Sequence, residues 1–249
     1  MSKNVAIVTG GSRGIGRAAA LKLAKAGYAV VVNYTANATA ADEVVSAIKG
    51  AGGEAVAVKG DVAQEADVLA IFAAAERLGP LKVLVNNAGV MDSQARLDEM
   101  SIARLTRIFD VNLTGAFLCA REAVKRMSMK HGGSGGAIVN LSSAAAVHGA
   151  PGFGVEYAAS KGAIDLLTIG LGREVAAEGI RVNAVRPGII DTDIHDSSGI
   201  PGRVKMMRDA IPMKREGSAD EVADAILWLV SDQSSYVTGT IVAVAGGRC

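Results

Sequence analysis

Tyr157 and Lys161 stand four residues apart in the run Tyr157-Ala158-Ala159-Ser160-Lys161, so a helix would place both on one face. A phenol is a poor acid at its ordinary pKa of about 10. A neighbouring ammonium favours the phenolate, and a pKa lowered by roughly two to three would supply roughly 3–4 kcal/mol of differential stabilisation. That brings a phenol into range for acid or base work near neutral pH. Asn140-Leu141-Ser142-Ser143 closes an apolar run just before this helix. The Ser143 hydroxyl could there bond and orient a substrate oxygen, or simply cap the end of a strand.

A second constellation lies near the start of the chain. Thr9-Gly10-Gly11-Ser12-Arg13-Gly14-Ile15-Gly16 joins the apolar run Val5-Ala6-Ile7-Val8 to a segment of helical period. Glycines in this position permit a tight turn and let the backbone approach a pyrophosphate without a Cβ in the way. The helix start adds unpaired N–H groups and the positive end of its dipole. The turn therefore predicts a dinucleotide seat, with Gly10, Ser12, Arg13, Gly14, Ile15 and Gly16 as its binding residues. At the end of the second strand, Val31-Val32-Asn33-Tyr34-Thr35 carries no carboxylate to bind a ribose 2′-hydroxyl and repel a 2′-phosphate. Arg13 could supply a cation to that phosphate. Together with Asn33 and Tyr34 this predicts NADP in preference to NAD. The alternative is that Arg13 is a solvated loop charge and Asn33 a turn residue.

The elements that must position these groups alternate along the chain. Strands are expected at 5–8, 29–32, 55–58, 83–85, 137–141, 181–185 and 240–244. Helices are expected at 15–26, 40–48, 64–78, 102–129, 157–177 and 221–230, with a short one at 204–210. The strands are near-continuous apolar runs, the mark of a parallel sheet buried on both faces. Repeated βαβ units imply a doubly wound α/β sheet, and nothing separates two domains, so one domain over 1–249 is expected.

Composition excludes several classes. Half of the residues are apolar, and the formal charge is +1 with both signs interleaved. No basic stripe points to nucleic acid. No uncharged apolar stretch reaches the roughly 18 residues of a membrane span. Cys119 and Cys249 are the only cysteines, which argues against a disulfide framework and for a reducing compartment. Cys119, within Ala116-Phe117-Leu118-Cys119, reads as an inert core thiol. Met1-Ser2-Lys3-Asn4 leads straight into a strand, so no signal peptide is expected and the cytoplasm is the expected location. His131, His148 and His195 lie far apart, and no catalytic metal is expected.

Taken in order, Thr9-Gly10 to Gly16, Asn86-Asn87-Ala88-Gly89, Asn112, Ser143, Tyr157-x-x-x-Lys161 and Pro187-Gly188 resemble the short-chain dehydrogenase/reductase family, from Val5 to Gly247. The resemblance implies a seven-stranded parallel sheet in a Rossmann-like domain and a catalytic set of Asn112, Ser143, Tyr157 and Lys161. It implies hydride transfer between a nicotinamide and a small carbonyl or alcohol substrate. Tyr157 would exchange the proton. Lys161 would lower its pKa and hold the nicotinamide ribose, and Asn112 would hold a water linking Lys161 to solvent. Asp61 and Val62 would border the adenine, and Asn86, Ala88 and Gly89 the adenosine side. Ile190 and Thr192, after Pro187 and Gly188, would meet the carboxamide. Asp61 also reads as a strand-end cap, and Asn86 to Gly89 as a brace for the sheet. A homotetramer or homodimer is implied, built on the helices around 102–129 and 157–177.

Two positions depart from the family pattern. Ala245 precedes Gly246-Gly247 where relatives often have an acidic residue. Glu178 precedes Gly179 where reductases of carrier-bound acyl groups often have a basic one, and an acidic carrier would be repelled there. A 3-oxoacyl reductase or sugar dehydrogenase remains an alternative, as does a non-catalytic nicotinamide-sensing protein. The segment 191–215 is expected to form a substrate lid, with Ile194, His195, Met206, Met207 and Met213 touching substrate or packing the lid down.

Overall fold

Val5, Ala6, Ile7 and Val8 are all fully buried, as are Val30, Val31 and Val32, so neither run can be a half-exposed strand. The computed structural model describes residues 3–192 and 206–248. Seven strands form one parallel sheet: β1 (Val5–Val8), β2 (Ala29–Tyr34), β3 (Glu54–Lys59), β4 (Leu81–Asn86), β5 (Gly136–Leu141), β6 (Ile180–Pro187) and β7 (Ile241–Val244). Their order is β3-β2-β1-β4-β5-β6-β7. The order reverses between β1 and β4, and the carboxyl ends of these two strands open the crevice where ligands bind in such sheets.

The helices α1 (Gly14–Lys25), α2 (Ala38–Gly50), α3 (Glu65–Glu76), α4 (Ile102–Phe109), α5 (Gly115–Met127), α6 (Ala145–His148), α7 (Val155–Glu174) and α8 (Ala219–Val230) connect them. On one face Leu23, Val44, Ile48, Ile226 and Leu229 from α1, α2 and α8 pack with Ala6, Val8 and Val30. On the other, Ile71, Phe72, Cys119 and Met127 from α3 and α5 pack with Ile7, Val31 and Ile138. Each large side chain so buried contributes about 1.5–3 kcal/mol. The doubly wound parallel sheet expected from the alternating pattern is observed, with the seven strands and Rossmann-like form that the family resemblance implied. Cys119 is fully buried, and its thiol is pushed up to about 12, first by burial and then by the Glu122 charge. It is no nucleophile at neutral pH.

The long helix expected over 102–129 is corrected. It is α4, then a π-helical turn over Asp110–Thr114, then α5. The Gly115 amide reaches back to the Asp110 carbonyl, which inserts one residue into the turn and carries Asn112 into the interior. Gly115 lets this turn approach the loop after β3, because a Cβ there would lie 2.6 Å from Val62 Cγ2. The helix expected at 157–177 starts earlier and ends at Glu174, followed by a 3-10 turn over Ala176–Glu178. Ile194, His195, Cys249 and the start of the short helix expected at 204–210 lie outside the described residues. Within them Arg208–Ala210 forms a 3-10 turn.

Candidate active site

The glycine turn after β1 is built by close backbone packing. Gly10 and Gly14 take φ of +60° and +52°, in the left-handed region. A Cβ on Gly16 would fall 2.3 Å from the Gly10 carbonyl oxygen and 2.5 Å from Asn87 Nδ2. We expect Gly16→Ala to cost about 1–3 kcal/mol in urea unfolding; an unchanged midpoint and slope would mean that the turn relaxes freely.

This turn is locked to the loop after β4. Thr9 Oγ1 accepts from the Asn87 and Ala88 amides, each at 3.0 Å. Asn87 Nδ2 donates to the Thr9 and Gly10 carbonyls, each at 2.9 Å. Asn33, expected to meet the cofactor, instead braces the turn from beneath. It is 1% exposed, its Oδ1 accepts from the Gly10 amide at 3.2 Å, and its Nδ2 donates to the Gly60 carbonyl at 2.9 Å. Of the two readings offered for Asn86, a cleft residue or a brace for the sheet, its contacts are those of a brace. It is buried, and its amide donates to Asn140 Oδ1 at 3.0 Å and to the Ala116 carbonyl at 3.1 Å.

Two cavities lie along the carboxyl edge of the sheet. The first, of about 480 Å³, is walled by Gly10, Ser12, Arg13, Gly14, Tyr34, Asp61, Val62 and Ala88, among others. Asp61 lies on this wall, and its Oδ1 accepts from the Ala63 amide at 3.0 Å, the strand-end capping expected of it. The second cavity, of about 590 Å³, is walled by Ser143, Tyr157, Lys161, Pro187, Gly188 and Ile190, among others. Ile15, Asn87, Gly89 and Thr192 line both, so the two form one crevice. The first three amides of α1 have no helical partner, and Arg13 at its N-cap makes no side-chain bond to them.

Tyr157 and Lys161 occupy successive turns of α7, and the Lys161 ammonium lies 5.8 Å from the centre of the Tyr157 ring. Lys161 is 5% exposed and donates to the Leu141 carbonyl at 2.7 Å. Burial pulls its pKa down to about 8, opposed by the carboxylate of Asp165. Asp165 in turn pairs with Arg186 at 2.6 Å. Asn112 walls neither cavity. Its Oδ1 accepts from the Val90 amide at 2.7 Å, and its Nδ2 donates to the Val90 carbonyl at 2.9 Å and to Ser160 Oγ at 3.2 Å. A Cβ on Gly89 would lie 3.4 Å from Asn112 Oδ1 and 3.5 Å from Lys161 Nζ, so both groups converge behind that glycine. Ser143 Oγ accepts from the Ala145 amide at 3.1 Å, which leaves its proton available to donate. The tyrosine helix and the end of β5 thus bring one phenol, one cation and one hydroxyl to a single crevice, with Asn112 of the π-helical turn behind it.

Several wall residues escaped the motif reading. Asn87 could have been found from its place inside Asn86-Asn87-Ala88-Gly89. Met91, His148, Phe153, Ile189 and Arg248 line the second cavity with no local pattern to mark them. Met206 and Met207 join them there, whereas Met213 lines a separate cavity beside Ile211. Among the described residues no group of three or more His, Cys, Asp or Glu is placed to hold a metal ion, and no helix is long and apolar enough to cross a membrane.

Known proteins resemble this chain along nearly its whole length. A family model described as Enoyl-(Acyl carrier protein) reductase matches residues 10–248. The chain is 56% identical to the uncharacterized oxidoreductase YgfF of Escherichia coli (strain K12) over 245 residues, covering 98% of this chain and 99% of that protein. It is 42% identical to glucose 1-dehydrogenase 2 of Bacillus subtilis (strain 168), covering 99% and 95%. A solved short-chain dehydrogenase/reductase variant from Serratia marcescens superposes with a TM-score of 0.91 at 34% identity, covering 98% of this chain and 97% of that one. The chain belongs to the short-chain dehydrogenase/reductase family, oxidoreductases that act on alcohol and carbonyl groups.

Proposed function

We propose that the protein interconverts a ketone or aldehyde and the matching alcohol with NADP(H), using Tyr157 as general acid and base. The observation that carries this reading is that Tyr157 and Lys161 wall a crevice continuous with the cradle formed by the glycine turn and the unpaired first amides of α1. That cradle fits a dinucleotide. Gly10, Ser12, Gly14, Ile15 and the free α1 amides would hold its pyrophosphate, with Asp61 and Val62 beside the adenine. Ala88 and Gly89 would line its adenosine side, and Pro187, Gly188, Ile190 and Thr192 its carboxamide. When bound, the nicotinamide supplies or accepts the hydride.

The chain's own residues manage the proton. Tyr157 gives its phenolic proton to the carbonyl oxygen as negative charge develops there, or removes it in the alcohol direction. The Lys161 ammonium favours the phenolate that remains. The Ser143 hydroxyl donates to the same substrate oxygen and orients it. Asn112, behind Gly89 and next to Lys161, would hold the water through which the proton is resupplied.

NADP preference rests on Arg13. It lies on the first cavity, and its guanidinium makes no ion pair among the described residues. Tyr34, Thr35, Ala36 and Asn37 wall the end of β2 without a carboxylate. Arg13→Ala should cut the ratio of NADPH to NADH affinity by about 10- to 100-fold, the worth of a charge-assisted bond to phosphate. Fluorescence titration of both variants with both nucleotides measures it. A wild-type protein that binds NADH as tightly as NADPH would instead point to NAD-linked oxidation.

Sugar oxidation is the runner-up. The second cavity presents Met91, Phe153, Met206 and Met207, a poor match to a polyhydroxylated ligand. Ile102, Phe117 and Leu166 are exposed on α4, α5 and α7, which supports a homotetramer or homodimer built on those helices. A cytoplasmic location fits the buried, free Cys119.

A further inference from the structure

Arg248 follows the glycines after β7 and lines the second cavity, the one that holds Tyr157 and Ser143. The Nε2 of His148 donates to the Arg248 carbonyl, which ties this stretch of chain to the end of α6 and fixes its place at the cavity. Among the described residues the Arg248 guanidinium has neither an ion-pair partner nor a hydrogen bond, although the other arginines that meet carboxylates, such as Arg104 with Glu156 and Arg186 with Asp165, are paired.

The charge balance of the cavity points the same way. No aspartate or glutamate among the described residues lies on its wall. Its other fixed cation, Lys161, is buried and already donates to the Leu141 carbonyl. Arg248 is therefore the cation with donors to spare on a wall that also carries Met206, Met207, Phe153 and Pro151. A guanidinium stays charged at any working pH and presents a planar fork of donors that matches a carboxylate with two parallel bonds. Apolar walls strengthen such a pair relative to water. The phosphates of a dinucleotide do not explain the cation, because Gly10, Ser12, Arg13 and Gly14 wall the other cavity and Arg248 does not.

We propose that Arg248 is the anchor for a carboxylate on the substrate, so that the preferred substrates are oxo acids and hydroxy acids whose carboxylate stands away from the reacting carbon. This rests on the reading of Tyr157 as the proton donor. Arg248 touches no reacting atom in this assignment; it selects and orients.

The test uses the full chain with NADPH, a series of straight-chain oxo acids of increasing length, and their primary amides. At the best length kcat/KM for the acid should exceed that for the amide by about 100-fold, chiefly through KM, and the advantage should shrink as salt is added. In Arg248→Gln the acid-to-amide ratio should fall to about one, in Arg248→Lys it should be partly kept, and Arg248→Glu should turn the preference towards amino ketones. NADPH titration of each variant reports whether the fold and the nucleotide seat are intact. Equal turnover of acids and amides by the wild type, an unchanged ratio in Arg248→Gln, or greater activity on a matched phosphate monoester would each overturn the assignment. Amides reduced without an acid preference sink Arg248 alone, whereas no reduction of any carbonyl sinks the reading it rests on.

Discussion

Tyr157→Phe should lower carbonyl turnover by about a thousandfold while NADPH binds with little change. The substitution keeps the ring on α7 and removes only the O–H. Positioned acids and bases contribute typically about 10²–10⁴ to rate, and a thousandfold corresponds to about 4 kcal/mol of barrier. No other described side chain on the second cavity can take over the role well. Lys161 donates to the Leu141 carbonyl, Arg248 lies at the cavity wall with its carbonyl bonded to His148, and His148 is thereby engaged. Steady-state turnover, together with nucleotide titration, separates lost chemistry from lost structure. A loss of less than tenfold would remove Tyr157 from the proton step. Equal nucleotide binding with no turnover in either protein would favour a nicotinamide-sensing role, in which the O–H has no task.

The same residues show what a sequence can and cannot reveal here. The strands were legible because β1 and β2 are buried on both faces, so they read as apolar runs without alternation. The positions of Tyr157 and Lys161 on one helix follow from spacing alone, as does the placement of the glycine turn between β1 and α1. Asn33 and Asn86 were harder. Each is a polar residue at a strand end, where facing a ligand and bonding to backbone look identical in one dimension. Their partners, Gly60 and Gly10 for Asn33, Asn140 and Ala116 for Asn86, come from other elements. The π-helical turn at Asp110–Thr114 left no local mark either, since one extra residue hardly disturbs an apolar period. Arg248 meets His148 a hundred positions away along the chain, a contact that only the folded sheet creates.

Lys161→Met should make the protein more stable near neutral pH even as it impairs turnover. Burial holds Lys161 at about 8 in the folded chain, against 10.5 for an ordinary lysine. Below about pH 8 both folded and unfolded chains carry the proton, and the folded one bears the full cost of a buried charge, about 3 kcal/mol. Between about 8 and 10.5 the unfolded chain binds the proton that the folded chain has released, so wild-type stability rises with pH across that window. Methionine has a similar reach and no charge, so the variant lacks this slope. It does leave the Leu141 carbonyl without its 2.7 Å donor, a loss of about 1–3 kcal/mol that is independent of pH. The variant should therefore gain on the wild type near neutral pH, and the gap should close by about 2–3 kcal/mol towards pH 10. Urea unfolding of both proteins at several pH values measures it, and parallel stability curves would show that Lys161 does not carry a depressed pKa in the fold. Turnover by the variant should fall by about a hundredfold or more, because the ammonium that favours the Tyr157 phenolate is gone. Under the proposed function, a lysine that destabilises the fold at working pH, held by Leu141 and steadied by Asp165, is explained by its part in the proton step, the usual trade between stability and activity.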